Sequence, residues 1–134
     1  MMLVLDACAI IAYIRDEPGA QVVEQFVDDA GNVCVVHAVN LCEVYYDCLK
    51  VADEATAQAV LGDLNAAGVV TISDMDASLW QQAARLKARI RRISLADCFA
   101  LALAQHVRGS LVTSDHREFD PIAQSGLCDI VFIR

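Results

Sequence analysis

Five short runs rich in Val, Ile and Leu constrain this chain more than any other feature: Leu3–Leu5, Val33–Val36, Val69–Ile72, Leu111–Thr113 and Ile130–Ile133. Their length and β-branched content suit strands buried on both faces. Stretches of helical period separate them. Between Asp53 and Ala67 the apolar positions Ala57, Val60, Leu61 and Leu64 recur at three- and four-residue steps, and Leu79, Ala83, Leu86 and Ile90 repeat the pattern in the next segment. Leu95–Val107 is apolar almost throughout, which suits a helix enclosed by others or packed on a sheet. Strands alternating with helices predict an α/β fold, a three-layer α/β/α sandwich around a central, mostly parallel five-stranded sheet.

The breakers agree with this division. Pro18-Gly19, Gly31-Asn32, Gly68, Gly109-Ser110 and Gly126 each fall between proposed elements. No internal repeat, low-complexity segment or long polar linker interrupts the chain, so residues 1–134 are expected to form a single domain. A hydrophobic content of 57% over 134 residues is ample for one core.

Composition also bounds the setting. Charged or strongly polar residues break every apolar run before it reaches the ~18 residues of a membrane helix. The opening MMLVLDACAIIAYIRDEP lacks a basic leader and carries Asp6 inside its apolar stretch, so a signal peptide is not expected. Cys8, Cys34, Cys42, Cys48, Cys98 and Cys128 form no C-x-x-C pair and lie among apolar residues; they read as reduced core thiols of a cytoplasmic protein.

A net charge of −8 argues against holding nucleic acid by broad electrostatic attraction. The basic residues are unevenly placed, however. Arg85, Lys87, Arg89, Arg91 and Arg92 share one short segment, which reads first as a solvated helix face and second as a phosphate contact.

Four acids stand at the junctions of these elements. Asp6 directly follows the first strand, and Asp115 follows the fourth through Thr113-Ser114-Asp115. Both fall at carboxyl ends of strands, the edge of an open parallel sheet where ligands bind. Glu43 and Asp97 lie near helix starts, in Asn40-Leu-Cys-Glu43 and Ser94-Leu-Ala-Asp97. Taken singly, each acid also reads as a cap or first-turn carboxylate, and Asn40-x-x-Glu43 and Ser94-x-x-Asp97 both look like capping boxes.

Their setting favours a site. Asp6, Glu43 and Asp97 are flanked by apolar residues with no Lys or Arg at hand, and an unpaired charge there is costly. A cation from solution would compensate. Oxygen ligands alone suit Mg²⁺ or Mn²⁺ rather than Zn²⁺, and His37, His106 and His116 have no metal-ligand spacing. Carboxylate-bound Mg²⁺ or Mn²⁺ is the recurrent solution for phosphodiester hydrolysis. Glu118 and Asp120 are possible auxiliary acids but read first as a surface turn, and Asp47 is left outside the set.

The strings LVLDACAIIAYI, VNLCEVYYD, ISLADCFALALA and LVTSDHREF together resemble the PIN-domain family, in particular the ribonuclease toxins of bacterial VapBC-type toxin–antitoxin pairs. The similarity spans nearly the whole chain. It implies metal-binding acids at Asp6, Glu43, Asp97 and Asp115, with Thr113 supporting the cluster. It further implies Mg²⁺- or Mn²⁺-dependent cleavage of RNA, dimerisation, and inhibition by a small antitoxin. One departure stands out: many relatives carry Ser or Thr two residues after the first aspartate, and this chain has Cys8, a poorer hydrogen-bond partner.

Other readings fit less well. A haloacid-dehalogenase-like phosphatase needs a second aspartate where Cys8 stands, and a receiver domain needs paired early acids and a late lysine that are missing. The rival from another class is a PIN-like module that has lost catalysis and serves only in binding or assembly.

Overall fold

β1 (Met2–Leu5), β2 (Val33–His37), β3 (Val70–Ile72), β4 (Ser110–Thr113) and β5 (Asp129–Phe132) form one sheet in the computed structural model, which describes residues 1–134. The strand order is β3-β2-β1-β4-β5. Every neighbouring pair runs parallel, so the sheet expected to be mostly parallel is wholly so. All five strands lie within a residue or two of the apolar runs that predicted them.

Seven helices connect the strands: α1 (Ala7–Ile14), α2 (Ala20–Asp28), α3 (Ala38–Val51), α4 (Glu54–Ala66), α5 (Ala77–Arg89), α6 (Leu95–His106) and α7 (His116–Ser125). Side-chain caps start several of them. Asp53 accepts from the Thr56 amide at 2.8 Å and Asp76 from the Leu79 amide at 3.0 Å, an arrangement worth about 1 kcal/mol per helix.

The pleat of β1 divides the core. Leu3 and Leu5 face one side, where they pack with Cys34, Val36 and Val112 against Ile10 of α1, Val23 of α2, Val44 of α3 and Leu64 of α4. Val4 faces the other, joining Val35 and Leu111 against Leu86 of α5, the buried run Cys98–Ala104 of α6, and Phe119 and Ile122 of α7. These two clusters make the three layers predicted from the sequence. Each fully buried Leu, Ile or Val contributes roughly 1.5–3 kcal/mol relative to exposure. The almost continuous apolar character of α6 follows from its place, since it packs on β1, β2 and β4 as well as on α3 and α5.

Two details correct or sharpen the sequence reading. The cysteines are all free, but only Cys34, Cys48 and Cys98 are core thiols; Cys8 and Cys42 are exposed and Cys128 is half-buried. Gly109, expected simply as a breaker, marks a close approach: a Cβ there would stand 2.5 Å from the Met2 carbonyl oxygen. No helix is long and apolar enough to cross a membrane.

The strand order sets the place of the site. From β1 the chain steps outward through β2 and β3, then returns to the other side of β1 for β4 and β5. The direction of winding thus changes between β1 and β4, and the crevice of such a sheet opens at their carboxyl ends. Leu5 pairs with Val112, so the next residues, Asp6 and Thr113, stand side by side at that edge.

Candidate active site at the carboxyl edge of the sheet

Asp6 leaves β1 and begins α1. Its Oδ1 accepts from the Ala9 amide at 2.8 Å, which makes it a helix cap, one of the two roles its position allows. The residue is 1% exposed, yet Oδ2 has no hydrogen-bond partner. Burial pushes its carboxyl up from 3.8 to about 7; Thr113 and the Ala9 amide pull it down, and the charges of Asp97 and Asp115 raise it. Thr113 exerts this pull from beside the carboxyl, without closing a hydrogen bond to Oδ2.

Asp115 begins α7 in the same manner, accepting from the Glu118 amide at 3.0 Å. Its own amide donates to Thr113 Oγ1 at 3.0 Å. Thr113, completely buried at the end of β4, therefore ties one acid by its backbone while standing next to the other.

Asp97 sits in the first turn of α6, where its amide donates to Ser94 Oγ at 3.1 Å, half of the expected capping box. Its half-buried carboxyl is pushed up to about 7 by burial, is held back by the Ser94 hydroxyl, and is raised further by Glu118, Glu43 and Asp115. Glu43 lies on α3, with its carboxyl raised by burial. All four acids predicted from the sequence thus share one electrostatic neighbourhood. Cys8 records it too: desolvation leads, and the charges of Asp6, Asp97, Asp115 and Glu43 add, in pushing its thiol up to about 12 even though the residue as a whole is exposed. The thiol is neutral at ordinary pH, not a reactive thiolate.

The second predicted capping box is not formed. The cap of α3 is His37, whose Nδ1 accepts from the Val39 amide at 3.1 Å, so Asn40 falls within the helix and Glu43 in its second turn. The His37 Nε2 faces the Asp74 carbonyl oxygen at 2.9 Å and donates to it, leaving this buried ring no lone pair for a metal.

Freed from capping, Asn40 bears on the site. It is fully buried, its Nδ2 donates to the Ala96 carbonyl at 3.1 Å beside Asp97, and its Oδ1 has no partner. Glu118, expected in a surface turn, also belongs here: its Oε2 is buried without a partner and its charge is the largest of the neighbouring charges acting on Asp97. The sequence signals are present, in Asn40 three residues before Glu43 and Glu118 three after Asp115. Both look like ordinary helix-start chemistry.

Asp6, Asn40 and Glu118 account for all the buried side-chain oxygens left unpartnered in the chain. None of the four predicted acids forms an ion pair; the pairs present are Arg15–Asp47, His116–Asp120 and Arg134–Glu17. Three or more His, Cys, Asp or Glu side chains do not stand gathered around one position at metal-binding distances. The donor set itself, oxygen only and short of partners, fits a hard divalent cation such as Mg²⁺ or Mn²⁺. None of the surface cavities is lined by the four acids.

A parallel sheet whose switch point carries acids without ion-pair partners defines an α/β protein with an acidic carboxyl edge. More particularly, the chain belongs to the PIN-domain family: the model of the PIN domain matches residues 3–124. No curated protein sequence matches at a significant level. Among solved structures, VapBC2 from Rickettsia felis, bound to a DNA fragment from its promoter, is similar at 17% identity and TM-score 0.74, with 98% of each chain covered. VapBC-1 from nontypeable Haemophilus influenzae matches at 17% identity and TM-score 0.73, over 99% of this chain and 98% of the other. Mycobacterium tuberculosis VapC20, described as a Sarcin-Ricin loop cleaving toxin, matches at 14% identity and TM-score 0.70, over 89% of this chain and 94% of the other. At such identities the likeness is one of fold.

Proposed function

We propose that residues 1–134 form one PIN domain that hydrolyses RNA phosphodiester bonds with Mg²⁺ or Mn²⁺, and that it is the toxin of a toxin–antitoxin pair. The observation that carries this reading is the concentration of unpartnered buried oxygens and unpaired acids at the sheet's switch point. Asp6, Glu43, Asp97 and Asp115 would hold the ion, with Thr113 as their support. When bound, such an ion stabilises negative charge on the phosphate and makes water a better nucleophile.

The chain's own residues then have distinct tasks. Asp97, partly exposed, stands in the field of Glu118, Glu43 and Asp115; burial and these charges raise its carboxyl in the ion-free chain, and a bound cation would favour its charged form. Asp6, capped through Oδ1 and free at Oδ2, offers one oxygen already fixed in direction.

The toxin role draws on the fold likeness to VapBC complexes and to VapC20. An apolar groove lined by Leu61 of α4 and by Ala38, Leu41, Cys42 and Tyr45 of α3, a helix that also exposes Tyr46 and Leu49, offers an antitoxin helix a seat. Free cysteines suit a reducing cytoplasm, and a homodimer is the proposed assembly. The alternative, a catalytically silent binding module, draws on Cys8 at the family's Ser/Thr position and on the ungathered acids.

Partner-free protein incubated with a mixed RNA pool in Mn²⁺, Mg²⁺ or EDTA, beside Asp97→Asn, tests the reading. Cleavage that needs the ion and vanishes in the variant is expected. RNA left intact by the parent in both metals would favour the silent module.

A further inference from the structure

Five of the ten Lys and Arg residues fall between Arg85 and Arg92. The four arginines among them are exposed and none pairs with a carboxylate, although the chain carries eighteen Asp and Glu. In a molecule of charge −8, a basic cluster left uncompensated is a local reversal of the surrounding field.

Lys87 is built differently from its neighbours. Its Nζ donates to the carbonyl oxygens of Arg91 at 2.9 Å and Ile93 at 2.6 Å, so it is not part of a solvated face but a clamp on the segment between α5 and α6. That segment presents Arg91 and Arg92 and ends at Ser94, whose hydroxyl accepts from the Asp97 amide. On the far side, Asn40 grips the Ala96 carbonyl. Arg92 therefore precedes Asp97 by five residues on a backbone pinned at both ends.

We propose that this clamped segment is the rim on which the phosphate backbone of single-stranded RNA rests beside the acidic site, with Arg91 and Arg92 gripping the phosphates and Lys87 positioning them. The inference rests on the nuclease reading and names how its substrate is held. A polyanion approaching four acids meets repulsion, and a rim of guanidinium groups offsets it just outside the site. Arginine suits the task, since its planar fork matches phosphate oxygens and never loses its charge.

Binding of a fluorescent single-stranded RNA oligonucleotide, followed by anisotropy over a range of KCl concentrations, tests this. Asp97→Asn is carried in every protein to prevent cleavage. Arg91→Ala/Arg92→Ala is expected to weaken binding on the order of tenfold and to lower the salt slope by about 1.4, roughly 0.7 for each phosphate no longer neutralised. Lys87→Met should give a smaller loss with the melting temperature followed alongside, and Lys50→Ala, an exposed cation on α3, should give none.

Equal affinity and slope in the parent and the double variant overturn the proposal. A polyglutamate peptide that discriminates between the two proteins when RNA does not would also overturn it, making the rim a protein-docking surface. Failure of the nuclease reading is separable: a chain with all its acids that cleaves no RNA, but whose binding depends on Arg91 and Arg92, loses the activity and keeps the rim.

Discussion

The two ends of the sheet differ in how completely their buried polar groups are satisfied. At the amino end the buried Ser110 hydroxyl is satisfied, donating to Asp129 Oδ2 at 2.6 Å. At the carboxyl end, Asp6 Oδ2, Asn40 Oδ1 and Glu118 Oε2 are buried without partners. An unmade bond of this kind costs roughly 1–3 kcal/mol. The fold keeps that cost at the carboxyl edge, where the acids of the proposed site lie.

Substitutions at the two ends should therefore separate activity from stability. The largest effect is expected from Asp6→Asn, which should lower RNA cleavage roughly a hundredfold to a thousandfold in a turnover assay. The same change should raise the melting temperature of metal-free protein on the order of 5 °C, because it removes a buried charge. An Asp6→Asn protein that is both inactive and less stable would erase the difference between the two ends.

Gly109→Ala probes the amino end. Its Cβ would press on the Met2 carbonyl oxygen, so denaturant melts should show a loss of about 2 kcal/mol, with cleavage per folded molecule unchanged.

Stability should also depend on pH through the carboxyl end. Asp6 and Asp97 stand at about 7 against an ordinary value of 3.8. Between those values the folded chain holds protons that the unfolded chain has lost, so stability falls as pH rises and levels off above about 7. Urea melts in EDTA from about pH 4 to pH 8 should show that decline, and Asp6→Asn should make it shallower by removing one of the two groups. A parent whose stability is level or rising across this window would contradict the origin given for the raised values.

Glu118→Gln should have the smallest effect. It keeps the amide cap on Asp115 and removes one charge acting on Asp97, so a loss of roughly tenfold in Mn²⁺ affinity is expected by calorimetric titration.

Much of this contrast is legible in the sequence, though not all. Strand positions follow from apolar runs, because a strand buried on both faces leaves an unmistakable local pattern. The order β3-β2-β1-β4-β5 does not, since it depends on which crossovers pack best and not on any one segment. Asp6, Glu43, Asp97 and Asp115 stand out as acids in apolar company. Asn40 misleads because His37, just before the helix, takes the cap with its ring nitrogen, which no Ser, Thr, Asp or Asn signal announces. Glu118 is hidden because its own segment is polar, and only the fold turns its Oε2 inward. Hydrophobicity places Cys8 and Cys42 inside, but α1 and α3 present them outward.

If the carboxyl edge is left unsatisfied for a divalent cation, thermal melts of the parent and Asp6→Asn, each in EDTA and in Mn²⁺, should reveal it. The parent should melt below the variant in EDTA and above it in Mn²⁺, because the variant lacks the buried carboxylate at position 6 while keeping the other three acids. Melting temperatures that keep the same order in both conditions, or that Mn²⁺ shifts equally in the two proteins, would contradict a cation-ready edge.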